Sequence, residues 1–319
     1  MIGVLTVSVK GIAMTLLPVR AQMLLKWGIH RRNCGLAPRR YRAELERWYR
    51  LMKLRSCDLD DPRTMIDKIH WLKLYDATPE KGRLADKYLV REWVAERVGE
   101  AYLVPLLGVW DSPEDIDFDT LPDRFVLKAT HGSGWNIIVK DKSTLDIPRT
   151  RKTLARWLRR RHAMKGGFEL HYEFCEPRIV CEQYLQDGTG ALRDYKFMTF
   201  GGVVQFVLAI DRTAGGMVRG TYLPDWSRAP FEYTCESTRA EDVPAPPRLA
   251  EMLRLAQDLG RDFACARVDF YEVDGRVYFG EITFTDADGL SDFVPADYDL
   301  EFGSRLVLPE KKPYKGIML

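Results

Sequence analysis

The chain has 319 residues, 46% of them hydrophobic and 29% charged, enough to bury a core in one large domain or two smaller ones. That composition excludes a disordered, collagen-like or disulfide-scaffold protein. The net charge of +2 hides a split: residues 1–60 hold 12 Lys and Arg against 4 Asp and Glu, whereas the remainder holds 36 against 42.

The N-terminal segment is apolar but broken by Lys10, Arg20 and Lys26. No run of ~18 apolar residues spans a bilayer, and Lys10 interrupts what a secretory signal would need. Residues 11–27, followed by Arg31, Arg32, Arg39, Arg40 and Arg42, suit contact with an anionic membrane surface; a helix packed on the body is the plainer reading. The six cysteines form no CxxC pair and no zinc spacing, which points to reduced thiols and a cytoplasmic setting, peripheral at the inner face of the membrane if the arm is used.

Apolar spacing near 3.6 predicts helices over 41–55, 63–75, 84–98 and 247–260, and a basic helix over 150–162. Strands are expected at 125–129, 136–140, 178–185, 194–200, 203–210, 264–271 and 277–284. Gly201-Gly202 and Asp274-Gly275 mark hairpin turns. Hairpins outnumber crossovers, so the expected class is α+β with mixed or antiparallel sheets.

Several segments carry chemistry. Lys128 ends a strand and precedes His131, Gly132, Ser133 and Gly134, a small-residue turn whose N–H groups can approach phosphate oxygens. It lacks the Walker pattern, and in isolation an ordinary hairpin with an exposed lysine is the plainer reading. Arg267, Asp269, Glu281 and Thr283 lie on two adjacent strands, and two carboxylates plus a hydroxyl are hard ligands for Mg²⁺. Register decides their use. A strict two-residue turn at Asp274-Gly275 puts Asp269 and Glu281 on opposite faces; a three-residue loop with a bulge at Gly275 puts them on one face. The metal reading therefore predicts the bulged turn. Glu182, Gln183 and Leu185 end an apolar strand and offer backbone groups to an adenine edge, with Asp187 placed for ribose hydroxyls. Residues 149–165 carry eight Lys and Arg and no acid, which suits an anionic substrate or a solvated helix face; no base-stacking motif accompanies them, so no nucleic acid is expected. Asp286-Ala-Asp288 matches the short DxD pattern of metal-dependent glycosyltransferases, and equally a turn.

In order, Asp86-Lys87, KATHGSGWN, CEQYL, DYKF, RVDFY and FGEITF resemble the ATP-grasp superfamily, and its TupA-like branch of teichuronopeptide synthesis, over about residues 60–303. The resemblance implies two α+β subdomains clasping ATP: an arm over 1–60, a helical lead-in over 61–110, a subdomain with the Gly-rich loop over 111–187 and a catalytic subdomain over 188–319. It implies that Lys87 and Lys128 contact phosphates, that Gly132, Ser133 and Gly134 form the mobile loop with His131 beside it, and that Glu182, Gln183, Leu185 and Asp187 hold the nucleoside. It assigns Asp269, Glu281 and Thr283 to Mg²⁺, Arg267 to the transferred phosphate, and Lys196 to phosphate or substrate. Thr283 stands where many members have Asn, and TFTDADGL where many have Asn-x-x-Pro-Gly, with Gly289 in the glycine's place. The implied activity is ATP- and Mg²⁺-dependent amide ligation between an anionic carboxylate acceptor, such as a uronate or glutamate of a surface polymer, and an amine donor. A kinase on the same fold and a glycosyltransferase using Asp286 and Asp288 are the competing expectations.

Overall fold

The computed structural model describes residues 19–186, 192–211, 217–234, 239–240 and 242–319. Asp187 and Cys235 lie outside the described residues.

Among the described residues five helices lead in. α1 spans Val19–Cys34, α2 Tyr41–Lys53, α3 Met65–Tyr75, α4 Pro79–Ala85 and α5 Val90–Arg97. The α2 face of Tyr41, Leu45, Trp48 and Tyr49 is buried in the main core. Burying such a side chain contributes about 1.5–3 kcal/mol. Residues from 41 onward therefore belong to the body, and Asn33, buried and donating to the Met164 carbonyl, ties the end of α1 to it as well. The helix expected at 84–98 is two. The Asp86 carboxylate accepts from the N–H groups of Tyr88 (2.9 Å) and Leu89 (3.1 Å), ending α4 and starting a new turn toward α5. Asp competes for backbone donors in this way and so breaks helices locally. Lys87 sits in that break.

A four-stranded antiparallel sheet follows, in the order β1-β4-β2-β3: β1 Leu106–Trp110, β2 Phe125–Ala129, β3 Asn136–Val139 and β4 Ile179–Gln183. Helix α6, Ile147–Leu158, covers it and closes a small core of its own, including Phe125, Leu127, Leu154 and Ile179. α6 starts three residues before the expected 150 because the Asp146 carboxylate caps it, accepting from Arg149 N at 2.9 Å.

The second sheet has six strands, β11-β10-β5-β6-β7-β9: β5 Asp194–Phe200, β6 Val203–Asp211, β7 Val218–Tyr222, β9 Arg239–Ala240, β10 Ala266–Val273 and β11 Arg276–Thr283. Helix α7, Leu249–Gly260, packs its Met252, Leu255 and Leu259 face on this sheet. A two-stranded pair, β8 Glu232–Thr234 with β12 Asp292–Val294, and helix α8, Asp297–Arg305, complete the main core. The expected hairpins β2–β3, β5–β6 and β10–β11 are all antiparallel.

The β10–β11 turn departs from the expectation. Val273 pairs with Arg276, so Asp274 (φ 51°) and Gly275 (φ 72°) form the strict two-residue turn, both left-handed. The register slips farther along: Phe270 faces Phe279, but Asp269 faces Glu281. Gly280 is the extra residue. The bulge therefore lies in the strand and not in the turn, and it still brings the two carboxylates onto one face.

Candidate active site

Three strands carry the charged face. Lys196 on β5 pairs with Asp269 on β10, and Asp269 with Glu281 on β11; Arg267 pairs with Thr283. With a side-chain period of two, all five residues share a face. Arg267 is its hub. Its Nε and Nη2 donate to the two oxygens of Asp269, both at 2.7 Å, and Nη2 also donates to Glu281 Oε1 at 2.9 Å. Its Nη1 donates to Asp286 Oδ1. Burial opposes the guanidinium charge, but Asp269, Asp286 and Glu281 outweigh it and hold the Arg267 pKa well above its usual range. Burial would raise the Asp269 carboxyl; Arg267, and Lys196 at 2.5 Å, overcome that and lower it.

Glu281 differs from its neighbours. Its side chain is 34% exposed, and among the described residues its Oε2 accepts no hydrogen bond. Thr283 Oγ1 donates weakly to Glu281 Oε1 at 3.5 Å. No cluster of three or more His, Cys, Asp or Glu able to hold a metal occurs among the described residues. Two carboxylates on one face, one with a free oxygen, nonetheless fit Mg²⁺, which takes one or two protein carboxylates and completes its shell with water and phosphate oxygens.

On the other side of Glu281 lies a narrow cleft of about 20 Å³ between the two sheets. Lys87, Arg91, Lys128 and Glu182 line it with Glu281, and Leu84, Val90, Leu103, Phe279 and Ile282 supply apolar walls. Lys128 donates to Glu182 Oε2, and Arg91 lies 3.5 Å from Glu182 Oε1. Lys87 Nζ donates to the Gly132 carbonyl at 2.5 Å, latching the β2–β3 loop to the α4–α5 break. Burial lowers the Lys87 pKa; Glu281 opposes this and Lys128 adds to it. Lysines 87 and 128, far apart in sequence, thus reach one cleft with the metal-type carboxylate at its end.

A family model described as TupA-like ATPgrasp matches residues 67–307, about three quarters of the chain. The chain belongs to this family. The ATP-grasp fold, with its α+β subdomains, follows from that membership. No curated protein sequence matches. Among solved structures, the D-alanine–D-alanine ligase of Bacillus anthracis complexed with ATP is similar at 19% identity and a TM-score of 0.39, over 64% of this chain and 56% of that one. D-cycloserine synthetase DcsG is similar at 14% identity and 0.38, over 70% and 71%. The ATP-grasp ligase PsnB, complexed with a phosphomimetic variant of its minimal precursor, Mg and ADP, is similar at 11% and 0.39, over 72% and 61%. This chain spans little more than half of the first of these ligases.

In this TupA-like chain a second, larger cavity of about 610 Å³ opens on the same charged face. Ser133, Arg267, Glu281 and Thr283 form its inner end. Trp48, Trp135 and Tyr172 wall it, and Trp27, Arg160, Arg161 and Lys165 stand farther along it. Glu281 borders both cavities. The basic segment expected as one helix divides here. Arg149 and Arg151 on α6 face elsewhere, Arg151 donating to the Ile116 carbonyl. Arg160, Arg161 and Lys165 lie beyond the helix end, where the chain turns toward the cavity.

Three expected residues stand apart from the cleft. His131 is 3% exposed, and its Nε2 donates to the Trp157 carbonyl at 3.2 Å; it anchors the loop to α6 and does not line either cavity. Gln183 and Leu185 likewise line neither cavity, although Gln183 N–H donates to the Pro105 carbonyl at 3.0 Å. Gly132 is required by packing: a Cβ there would sit 2.8 Å from His162 Nδ1 and 2.9 Å from the Trp135 ring. The DxD pair is consumed by cations. Asp286 holds Arg267; Asp288 accepts from Lys73 at 2.5 Å and from Gly167 N–H at 3.2 Å. Ala287, Asp288 and Gly289 are all left-handed, with φ of 47°, 58° and 70°, a backbone that aims both carboxylates inward.

Sequence reasoning missed Arg91, and it missed the buried set formed by Glu169, His162 and Thr285. His162 Nε2 lies 3.2 Å from Glu169 Oε2, and Thr285 Oγ1 donates to Glu169 Oε1 at 2.5 Å. These residues occupy irregular segments with no periodicity, so no local signal marks them.

The titrations predict a two-part acid response. Burial lowers His131 to about 4 and His171 to about 3, from an ordinary value near 6.5. Their neutral forms favour folding above pH ~6.5, and that contribution is lost as pH falls toward those values. Burial raises Asp299 to about 6 and also raises Asp288, so these two favour the folded state as pH falls through the same window. Between about pH 6 and 4 these contributions oppose one another. Below pH ~4 the depressed carboxyls Asp269 and Glu169, the latter at about 2, add their loss to that of the histidines. Melting temperature should fall steeply below pH ~4, where the depressed carboxyls are protonated.

Proposed function

We propose that this protein is an ATP- and Mg²⁺-dependent carboxylate–amine ligase that forms an amide through an acylphosphate. The observation that carries this reading is the place of Glu281 between the two cavities. A nucleotide whose phosphates meet Lys87 and Lys128 would end at the carboxylate face, where an acceptor in the larger cavity would also end. An oxygen of the acceptor carboxylate attacks the γ-phosphorus and ADP departs. The amine nitrogen then attacks the acyl carbon, phosphate departs and the nitrogen loses a proton. Neither step needs a covalent link to the protein, so its part is positioning and charge compensation. Lys87 and Lys128 hold phosphate oxygens, and Arg267 stands at the transferred group. Asp269 and Glu281, with Thr283 beside them, would hold Mg²⁺, which supplies charge compensation on the phosphates. Lys196, now on Asp269, would be freed for phosphate or acceptor as the metal takes its place. Admitting ATP requires the Gly132–Gly134 loop and β4 to part from β11, because the narrow cleft holds about one water.

Arg160 and Lys165 favour an anionic acceptor, Arg161 being held by Glu173, and the aromatic walls suit a sugar ring; a uronate or glutamate of a surface polymer precursor meets both demands. A glycosyltransferase reading is disfavoured because Arg267 and Lys73 occupy the DxD carboxylates. The test is ADP release with Mg·ATP and panels of acidic sugars and amines, with the product weighed. Release that needs both partners and yields an amide supports the reading; release with the acid alone and a stable phosphate ester makes the protein a kinase. In the same assay Arg160→Ala with Lys165→Ala should raise KM for the acceptor about tenfold or more and leave KM for ATP unchanged.

A further inference from the structure

Helices α1 and α2 flank the larger cavity: Trp27 and His30 of α1 and Trp48 and Met52 of α2 all line it. Arg32 ties the helices together, donating to Glu44 at 2.6 Å. Away from the core both helices show large apolar side chains to solvent. Leu24 is 69% exposed and Trp27 54%, three residues apart on α1; Leu51 is 57% exposed on α2 and Leu54, just past its end, 67%. Arginines intersperse them. Arg31 stacks on Trp27 at 5.4 Å, and Arg47 and Arg50 lie on the same outer face of α2 as Leu51. The nearby acids are already engaged, Glu44 by Arg32 and Arg47 and Glu46 and Asp60 by Arg42. Arg31, Arg39, Arg40 and Arg50 are exposed and meet no carboxylate among the described residues. Exposed apolar groups alone would suit a protein partner, and arginines alone would suit any polyanion. The two interleaved on adjoining helices match the boundary of an anionic bilayer, where apolar groups enter the acyl region and guanidinium groups meet headgroup phosphates.

We propose that the α1–α2 face docks on an anionic lipid bilayer, setting the mouth of the acceptor cavity against the membrane so that an acceptor carried in the membrane reaches it. Among the described residues no helix is long and apolar enough to cross a membrane, so the contact is with the surface. Delivery of an acceptor rests on the ligase reading; the docking itself does not, because it is measured without turnover.

The test is co-sedimentation of the full chain with phosphatidylcholine vesicles and with vesicles containing one third phosphatidylglycerol. The expected result is binding to the anionic vesicles only, weakened by 1 M salt, where the screening length falls to ~3 Å. Arg31→Glu with Arg50→Glu, and separately Leu24→Ser with Leu51→Ser, should each weaken it about tenfold or more. These side chains are exposed, and unchanged melting temperatures would show that the variants fold. Equal binding to neutral vesicles, no binding, or variants that bind like wild type overturns the proposal. So does equal retention on heparin that ignores the leucine changes, which marks a polyanion site. Loss of a dimer in the leucine variants, seen by light scattering without any change in vesicle binding, assigns the face to a second copy instead.

Discussion

Glu281→Ala and Lys128→Ala should each lower ATP-dependent turnover by about 10²–10³-fold or more while leaving the fold intact. The reasoning is local. Glu281 is the most exposed acid of the charged face, and Arg267 keeps Asp269 and Asp286 when it is gone. Removing Glu281 therefore strands no buried charge, yet removes the carboxylate that borders both cavities. Lys128 reaches only Glu182, which retains Arg91 at 3.5 Å. ADP release read beside thermal melts checks both halves. Near-normal turnover in both variants would remove the ligase reading.

Arg267→Ala should lose activity and stability together. Its guanidinium satisfies Asp269, 2% exposed, and Asp286, 5% exposed, besides Glu281. Breaking a buried ion pair from one side costs about 3–5 kcal/mol because the abandoned charges stay buried. At ~2–4 °C per kcal/mol for a chain of this size, the melting temperature at pH 7 should fall by about 6–20 °C. Arg267→Lys should recover only part, since an ammonium cannot present a planar fork to several carboxylates at once. In the wild type Asp269 is depressed, so its contribution is present above pH ~4 and lost below it. Without Arg267 only Lys196 still opposes burial, so that carboxyl is less depressed and the variant's deficit should shrink as pH falls toward 4. A deficit that persists unchanged at pH 4 would show that the arginine acts through packing rather than charge.

These outcomes depend on a site that was only partly legible in the chain. Strand β5 lies where alternation and Gly201-Gly202 place it, and the hairpins follow from short glycine turns. Such features are local: a few residues set side-chain period and turn geometry, and tertiary contacts need only accept them. The ligand-bearing residue types on β10 and β11 were legible for the same reason. Their alignment was not. The metal reading placed a bulge at Gly275, whereas the extra residue is Gly280, because the hydrophobic face of β11 must keep Phe279 opposite Phe270 while Glu281 turns to the cavity.

By itself, the sequence determined the α+β class, the hairpin pairings, Lys128, the carboxylates and the basic run from residue type and short spacing, whereas Lys87 entered only through the family resemblance. The tertiary structure alone decided which of these meet. It drew Lys87 to the loop carbonyl of Gly132, gave the DxD carboxylates to Arg267 and Lys73, and turned His131 into the packing beneath α6. It also assembled Glu169, His162 and Thr285 from unpatterned segments and placed residues 160–165, rather than α6, beside the acceptor cavity. The physical reason is range: propensity and periodicity act over a few residues, while burial and charge pairing act across the fold, where a cation goes to whichever carboxylate is desolvated beside it.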